Sequence, residues 1–461
     1  MALISGSEER GRFRLGLSFL LLILCCYGCS QVPPKKFNIV FVMVDTLRAD
    51  HLSCYGYERP TSPSIDAFAK EHLLFLNNRS QAACTFPSVN SLLTSRDPFE
   101  FVSNHLESDE LGIPDESPYL PRILKANGYR TIAISASPVF KSNRGRTNPS
   151  GGYGSGFDEF HDDIEWGAAW RVNEVLRDRL KAGEQPFFAY LHYIDPHDPY
   201  MPPEESRYRF AKRSRRGRRF IRNGNPNPIE KELFEGGPEV NVRDGGIGHL
   251  VDLYDDEIAY VDKQFAELLD FLKSEGLYED TILVFASDHG EAFMEHNDIK
   301  HCHTLYDTLI RTPLIIRLPG SDYYGVREQL TQNMDIVPTL LDYLGIDSSS
   351  YGFHGRSLRP VIEREEELHD AVHSSQSEHR SVADLRYKLI QTISEDKIRL
   401  FDIQADSGEQ NDIALEKPDL AEGFVLRLDE WSKRVEGAST EKIMEAEEAA
   451  HEKLRALGYL Q

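Results

Sequence analysis

The sequence is short of cysteine and of positive charge, and each shortage excludes a class of protein. Six cysteines are scattered over 461 residues, which excludes a disulfide-stapled scaffold and a cysteine-rich zinc module. With 52 lysines and arginines against 75 aspartates and glutamates, the formal charge of −23 excludes a generally basic nucleic-acid binder. A hydrophobic fraction of 40% indicates a globular chain that is long enough for one large core and a smaller domain.

Long apolar runs are also lacking, except for one near the N-terminus. Residues 15–27 follow three arginines and precede Gly28 and Cys29, a pattern typical of an export signal. This run is shorter than the roughly 20 residues of a membrane-spanning helix. We therefore expect residues 1–28 to be a signal peptide of the lipoprotein type, with a lipid on Cys29 and the mature protein in the periplasm or at the cell surface. A soluble secreted protein and an uncleaved anchor are the alternatives.

Apolar runs rich in β-branched residues alternate with helical patterns after a linker at residues 29–37. The predicted strands are residues 39–44, 129–135, 187–194, 281–285 and 314–318, and the predicted helices are residues 63–72, 121–127, 166–182 and 253–275. This alternation predicts an α/β fold with a mostly parallel sheet flanked by helices, over residues 38–345. Shorter, polar segments predict a smaller C-terminal α+β domain at residues 346–461.

Acidic residues follow three of the predicted strands at the point where each strand ends. Because ligands gather beyond the carboxyl ends of parallel strands, we expect Asp45, Asp195 and Asp288 to converge. His197 and His289 lie close to two of them, and carboxylate oxygen with imidazole nitrogen suits Zn²⁺ or Mn²⁺, whereas Ca²⁺ prefers oxygen. Taken singly, each motif has a structural alternative, because such an aspartate often caps a helix and a histidine often satisfies a local hydrogen bond.

Several separated motifs agree, in order, with one known family. They are residues 44–50 with 54–57, 85–88 with 92–96, 287–291 with 295–296, 305–306 with 311–316, 335–340, and 400–403 with 408–409. Over residues 38 to about 459 the chain resembles the sulfatase family of the alkaline phosphatase superfamily. The resemblance implies that family's α/β fold and an ester hydrolase that uses one divalent cation, Ca²⁺, Zn²⁺ or Mn²⁺. It implies that the following residues hold the cation: Asp45, Thr85, Asp288 and His289.

The sequence departs from the family at the nucleophile. Sulfatases carry Cys or Ser two residues before a proline and oxidise it to formylglycine, but here Thr85 precedes Pro87, and threonine cannot become the aldehyde. In related phosphodiesterases and phosphoethanolamine transferases a threonine attacks phosphorus, so we expect a covalent Thr85 intermediate and no formylglycine. The alternative is that Thr85 only caps a helix over residues 88–94. Cys84 is interpreted as a small buried hydrophobic residue.

Other positions bear on the substrate and the cation. His197 and His301 are candidates for binding substrate oxygens or for protonating the leaving group. A second cation held by these two histidines and Asp195 is an alternative. Thr46 stands where sulfatases usually have a second aspartate, which makes Zn²⁺ or Mn²⁺ as suitable as Ca²⁺. Lys141 is a partial substitute for a substrate-binding Gly-Lys-Trp-His turn that the sequence lacks.

The segment from Arg207 to Arg222 carries nine basic side chains and no acidic one, and it predicts a long loop that gathers a polyanionic substrate. The alternative is a solvated loop that touches a membrane surface. The combined prediction is an exported, metal-dependent, sulfatase-like hydrolase of phosphate, phosphonate or sulfate esters, with phosphoesters favoured and no nucleic-acid partner. A sulfatase for a sulfated glycan and a non-catalytic, anion-binding surface lipoprotein are the alternatives.

Overall fold

A sheet of eight strands forms the centre of the molecule. The computed structural model describes residues 36–98, 113, 117–143, 152–164, 168–180, 186–211 and 246–435. The strands of this sheet are β1 (Asn38–Val44), β2 (Leu73–Arg79), β3 (Arg130–Ser135), β4 (Glu159–His161), β5 (Phe187–Tyr193), β6 (Thr281–Ser287), β9 (Leu314–Arg317) and β10 (Gly325–Gln332). Strands β7 (Ala292–Phe293) and β8 (Ile299–Lys300) form a separate antiparallel pair. The spatial order in the eight-stranded sheet is β10-β2-β9-β6-β1-β5-β3-β4, and β9 alone among these strands is antiparallel to its neighbours. The prediction of a mostly parallel sheet is confirmed.

The middle strands are buried on both faces because helices cover the sheet on each side. All seven residues of β1 are buried, and its side chains alternate between two apolar clusters. Val40 and Val42 pack in one cluster, whereas Ile39 and Phe41 pack in the other. The continuous apolar run at residues 39–44 therefore forms a central strand, as its pattern predicts.

The helices divide between the two faces. They are α1 (Pro63–Glu71), α2 (Thr85–Thr94), α3 (Leu120–Ala126), α4 (Ala169–Arg179), α5 (Gly246–Ser274), α6 (Asp307–Ile310), α7 (Ile336–Tyr343), α8 (Arg359–Arg364) and α9 (residues 418–435). Helices α1, α4 and α5 pack in the cluster with Val40, and α2, α3, α7 and α8 pack in the cluster with Ile39. Within the described part of the chain, none of these helices is both long and apolar enough to cross a membrane.

A second, antiparallel sheet lies nearer the C-terminus. Its strands, in spatial order, are β11 (Val372–Gln376), β12 (His379–Ala383), β13 (Tyr387–Thr392) and β14 (Lys397–Asp402). Helix α9 packs on this sheet through Phe424, Leu428 and Trp431, which contact a cluster with Leu389 and Leu400. The predicted smaller C-terminal domain is confirmed as this sheet and helix, whereas its boundary at residue 345 stays a prediction.

The eight-stranded sheet differs from the sequence prediction in three strands and in one direction. Strands β2 and β10 were not predicted, because the polar ends of LLFLNNR and GVREQLTQ interrupt their apolar runs. Strand β4 was not predicted either, because its three residues, EFH, show no apolar run. The strand at residues 314–318 was expected with the parallel set, but β9 runs antiparallel between β2 and β6. The predicted signal peptide, Cys29, and the arginine-rich segment beyond residue 211 lie outside the described residues.

Candidate active site

The register of the central strands brings two carboxylates side by side. Val44, at the end of β1, pairs in parallel with Ser287, at the end of β6. The residue after each strand, Asp45 or Asp288, therefore emerges at the same edge of the sheet. Both are buried, with 1% and 0% of their surfaces exposed. The predicted convergence of these two aspartates is confirmed.

One oxygen of each carboxylate is fixed by the surrounding protein. Oδ2 of Asp45 lies 3.2 Å from Nε2 of His192, which β5 carries. Oδ1 of Asp288 accepts hydrogen bonds from the backbone N–H groups of Thr46, at 3.2 Å, and His289, at 2.8 Å. These contacts set the direction in which the other oxygen of each carboxylate points.

The remaining oxygens, Oδ1 of Asp45 and Oδ2 of Asp288, are buried and have no hydrogen-bond partner among the described residues. They lie 3.9 Å and 3.6 Å from Nε2 of His289. Burial, and then the negative charge of Asp288, raise the pKa of Asp45 to about 7. Two desolvated carboxylates whose free oxygens face one point fit a divalent cation.

The donor atoms around this point include nitrogen as well as oxygen. Asp45, His192 and Asp288 each offer a ligand atom within 4.8 Å of the other two. His289 and Thr85 add a further nitrogen and a hydroxyl oxygen. This mixture suits Zn²⁺ or Mn²⁺ at least as well as Ca²⁺.

The hydroxyl of Thr85 faces the same point. Oγ1 of Thr85 lies 3.1 Å from Nε2 of His289, and only 6% of the Thr85 surface is exposed. Nδ1 of His289 donates to the carbonyl oxygen of Gly290 at 2.9 Å, which leaves Nε2 as the ring nitrogen that faces the Thr85 hydroxyl and the two free carboxylate oxygens. This arrangement places a nitrogen ligand for a cation beside the hydroxyl.

Helix α2 begins at Thr85, and this overturns the alternative that Thr85 merely caps a helix over residues 88–94. Cys84 is the residue at the cap position, and no side chain caps the helix. One turn into the helix, Ser88 Oγ donates to the carbonyl oxygen of Asp288 at 2.6 Å, which joins the helix start to the carboxylate loop. The N–H groups at the start of α2 also favour an anion at this position.

A row of histidine rings extends outward from His289. The ring of His301 lies 4.6 Å from that of His289, and the ring of His197 lies 5.0 Å further on, between centroids. Nδ1 of His301 contacts Oε1 of Glu291 at 2.9 Å, and Tyr200 donates to Oε2 of the same carboxylate at 2.9 Å. Burial lowers the pKa of His301 to about 4 and raises that of Glu291 to about 7.

The predicted role of Asp195 at this site is wrong. Its Oδ2 accepts a hydrogen bond from the backbone N–H of Ala169 at 2.8 Å, so it holds the start of helix α4 instead. A second cation site with His197 and His301 therefore lacks its carboxylate. Among the described residues, the side chains whose ligand atoms lie close enough together to hold one metal ion are Asp45, His192 and Asp288.

The interpretation of Cys84 as a small buried hydrophobic residue is also wrong. Cys84 forms a disulfide with Cys302 across 218 residues of sequence. Thr46, at the position of the family's second aspartate, turns the backbone with a φ of 56°, and its buried Oγ1 has no partner among the described residues. Lys141 donates to the carbonyl oxygen of Asp162 at 2.7 Å.

The arginine-rich segment is described only at its start. Arg207 Nε donates to the carbonyl oxygen of Pro202 at 2.9 Å, and Arg209 Nη2 donates to that of Pro60 at 2.9 Å. The rest, from residue 212, lies outside the described ranges. The role of the segment in gathering a substrate stays a prediction.

Sequence reasoning missed His192 and the part played by Glu291. His192 lies inside an apolar strand, FFAYLHY, and the signal that could have found it is a single ionisable side chain in a fully buried run. Glu291 was noticed in the motif with Asp288, but its contacts with His301 and Tyr200 depend on segments that are remote in sequence.

Comparisons with known proteins identify the family. The model of the sulfatase family matches residues 37–346, and the model described as N-sulphoglucosamine sulphohydrolase, C-terminal, matches residues 296–429. An ulvan-active sulfatase of Formosa agariphila is 27% identical over 72% of this chain, which spans 66% of that relative. An N-acetylglucosamine-6-O-sulfatase of Bacteroides thetaiotaomicron is 22% identical, with 85% of each chain covered.

Solved structures share the fold. One, described as a complex with its substrate D-glucosamine-2-N,6-O-disulfate, has a TM-score of 0.68 at 20% identity and covers 87% of this chain and 99% of its own. The phosphonate monoester hydrolase of Agrobacterium radiobacter has a TM-score of 0.67 at 19% identity, with 87% and 96% covered. Because the sulfatase model matches most of the chain, this protein belongs to the sulfatase family of ester hydrolases.

Proposed function

We propose that this protein hydrolyses phosphate or phosphonate esters, with Thr85 as the nucleophile. One observation carries the proposal: the Thr85 hydroxyl, at the first turn of α2, lies 3.1 Å from the lone pair of His289 Nε2. The two unpartnered carboxylate oxygens of Asp45 and Asp288 face the same nitrogen. A nucleophile, a set of atoms that can hold a cation and an anion-binding helix start are therefore combined in one buried place.

The proposed reaction has two displacements. In the first, Thr85 Oγ1 forms a bond to phosphorus and gives its proton to solvent, and the bond between phosphorus and the ester oxygen breaks as that oxygen departs with a proton from His197. In the second, water attacks phosphorus, the bond to Thr85 breaks, and the hydroxyl regains a proton. Phosphate or phosphonate and an alcohol are the products.

A divalent cation held by Asp45, Asp288, His289 and Thr85, with His192 beside them, would lower the pKa of the attacking hydroxyl and balance the negative charge of the ester oxygens. The protein's own part is to keep these side chains dry and aligned. Hydrogen bonds to the other oxygen of each carboxylate do this, because they leave one lone-pair direction open in each case.

His301 and His197 are proposed to serve the leaving oxygen and the incoming water. Burial lowers the pKa of His301 to about 4, so its ring is neutral near pH 7. With Nδ1 donating to Glu291, its Nε2 carries a lone pair that can accept a proton from water. His197, whose Nδ1 donates to the carbonyl oxygen of Asp198 at 2.5 Å, is the proposed donor to the leaving oxygen.

The choice of phosphorus over sulfur rests on Thr85 itself. A formylglycine enzyme releases sulfate when its aldehyde hydrate collapses, and a sulfated threonine has no such exit. Sulfate esters of a glycan are the second candidate, because both relatives named above are called sulfatases. The phosphonate monoester hydrolase among the solved structures supports the first candidate, because it has the same fold.

The test compares aryl phosphonate, phosphate monoester, phosphodiester and sulfate ester turnover, with Ca²⁺, Mn²⁺ or Zn²⁺ restored after chelation. We expect phosphonate or phosphate ester turnover that falls at least about 1,000-fold in Thr85→Ala. Thr85→Ser, which keeps a hydroxyl, should retain part of it. Acid quenching during turnover should leave phosphate or phosphonate on the peptide that contains Thr85.

Other results would replace the proposal. Turnover of sulfate esters alone would establish the second candidate. Equal activity of wild type and Thr85→Ala would remove Thr85 as the nucleophile. Binding of the esters without turnover under every cation would favour the non-catalytic, anion-binding lipoprotein.

We also propose that the protein is exported and lipid-anchored through Cys29, on the pattern of residues 15–29. Fatty-acid labelling of the expressed protein should mark the wild type and not Cys29→Ser. Label in neither, with a shortened chain outside the cytoplasm, would favour the soluble secreted form.

A further inference from the structure

One disulfide joins the two segments that carry the reacting groups. Cys84 directly precedes Thr85, and Cys302 directly follows His301. The two Cα atoms lie 4.7 Å apart. The bond therefore sets the distance between the nucleophile's helix and the loop that carries His301.

The two segments differ in how well they are packed. Every residue of α2, which Thr85 begins, is buried. Residues 299–304 are all partly or fully exposed, and the next fully buried side chain is Leu305. Apolar packing thus holds the helix. Residues 299–300 pair with residues 292–293, and Ile299 packs at the edge of the cluster with Val40. Residues 301–304, which include His301, have fewer contacts, and the disulfide is one of them.

Several polar contacts also hold the loop. The backbone N–H of Cys302 donates to the carbonyl oxygen of Ala83 at 2.8 Å. Lys300 lies 2.9 Å from Asp198, and Nδ1 of His301 lies 2.9 Å from Glu291. Cys302 itself has a φ of 75°, in the left-handed region that side chains other than glycine rarely adopt. Loss of the disulfide would let this loop relax away from the helix.

We propose that the Cys84–Cys302 disulfide is a positioning device for the reaction, so that the oxidised protein is the active form. This inference rests on the proposed function, in which His301 acts beside Thr85. Both cysteines are partly exposed, so a small dithiol can reach them. Reduction breaks the S–S bond and gives two thiols, while the dithiol supplies two electrons and two protons and becomes a disulfide itself.

The test uses Cys84→Ser, Cys302→Ser and the double variant, with Cys54→Ser as the matched control, since Cys54 is the free cysteine among the described residues. We expect kcat of the double variant to fall about 10- to 100-fold, with KM and bound cation content little changed. A dithiol should lower kcat of wild type and Cys54→Ser to the same level. The double variant should not respond to the dithiol.

A purely structural disulfide would give a different result: a lower melting temperature, but wild-type kcat and pH profile for the folded double variant. That result would overturn the proposal. Hydrogen exchange supplies a readout that needs no substrate, and residues 301–304 should exchange faster after reduction while residues 85–94 do not. Equal protection of the loop in both redox states would also overturn it, whereas full activity of Thr85→Ala would overturn only the proposed function.

Discussion

Two buried charge clusters in this molecule follow opposite rules. Around Asp45 and Asp288, two carboxylates face one point, and each has an oxygen without a partner among the described residues. The second cluster joins the main sheet to the C-terminal sheet through Arg79, Asp307, Lys388 and Glu409. In it, Lys388 lies 2.8 Å from both Asp307 and Glu409, and Arg79 lies 2.8 Å from Asp307.

The pKa values of one carboxylate from each cluster, Asp45 and Asp307, reflect this difference. Burial and the neighbouring Asp288 raise the pKa of Asp45 to about 7. Burial also acts to raise the pKa of Asp307, but the charges of Arg79 and Lys388 outweigh it and hold that pKa far below its usual range. Charge that folding has already balanced serves stability, whereas charge left unbalanced in the interior marks a place for a ligand.

The largest expected effect comes from removing one unbalanced charge. Asp288→Asn keeps Oδ1 as an acceptor for Thr46 and His289 but removes the negative charge. We expect ester turnover to fall about 100- to 1,000-fold and bound cation to be lost. Without cation, this variant should unfold at a higher urea concentration than chelated wild type, because the repulsion with Asp45 is gone.

The control for this variant is Asp322→Asn, at an exposed position. It should leave turnover, cation content and urea midpoint unchanged. If Asp288→Asn unfolds more easily than chelated wild type, the two carboxylates are not in conflict and the contrast between the clusters fails.

The next effect concerns the balanced cluster. Lys388→Met leaves Asp307 and Glu409 together with only Arg79 to compensate them, so the free energy of unfolding should fall by about 3 kcal/mol. The kcat of folded molecules should stay within about twofold of wild type, because no described bond joins Lys388 to the candidate active site. Urea unfolding and initial rates check the two halves of this prediction. Lys397→Met, at an exposed position, is the control. If Lys397→Met loses as much stability as Lys388→Met, the ion pairs of Lys388 with Asp307 and Glu409 do not account for the loss.

The smallest effect is a pH dependence. Burial, only partly offset by Lys388, raises the pKa of Glu409 to about 7. Between its ordinary pKa and pH 7 the folded state binds more protons than the unfolded state, so Glu409 makes stability fall as pH rises through this window. The slope is at most about 1.4 kcal/mol per pH unit. Glu409→Gln should reduce the fall of the urea midpoint between pH 5 and 7 without abolishing it, because Asp45 and Glu291 also have raised pKa values. Glu416→Gln, at an exposed position, should leave the profile unchanged.

Much of the candidate site could be predicted because it follows from strand ends and from the family's motifs. Asp45, Asp288 and His289 follow strands that the apolar pattern predicts, and parallel pairing puts them at one edge. Asp195 also follows a predicted strand, but its carboxylate does not face the candidate site. It accepts a hydrogen bond from the backbone N–H of Ala169, at the start of helix α4. A position after a strand therefore predicts location but not the direction of the side chain.

The rest depended on contacts that no local pattern encodes. His192 has the burial of a core residue, and its meaning comes from the carboxylate that the neighbouring strand brings to it. Cys84 and Cys302 pair only because the fold brings two segments together, and six scattered cysteines indicate no pairing by themselves.

The place of β1 between β5 and β6 also bears on how the chain folds. The first strand of the sheet leaves the ribosome early, yet its two partners are residues 187–193 and 281–287, and the bond from Thr46 to Asp288 spans 242 residues. Such distant pairing makes folding slow and places it late in synthesis. The return of activity after dilution from urea should therefore lag behind the return of the helical circular dichroism signal. The site around Thr85 forms only when β1 has paired with both β5 and β6.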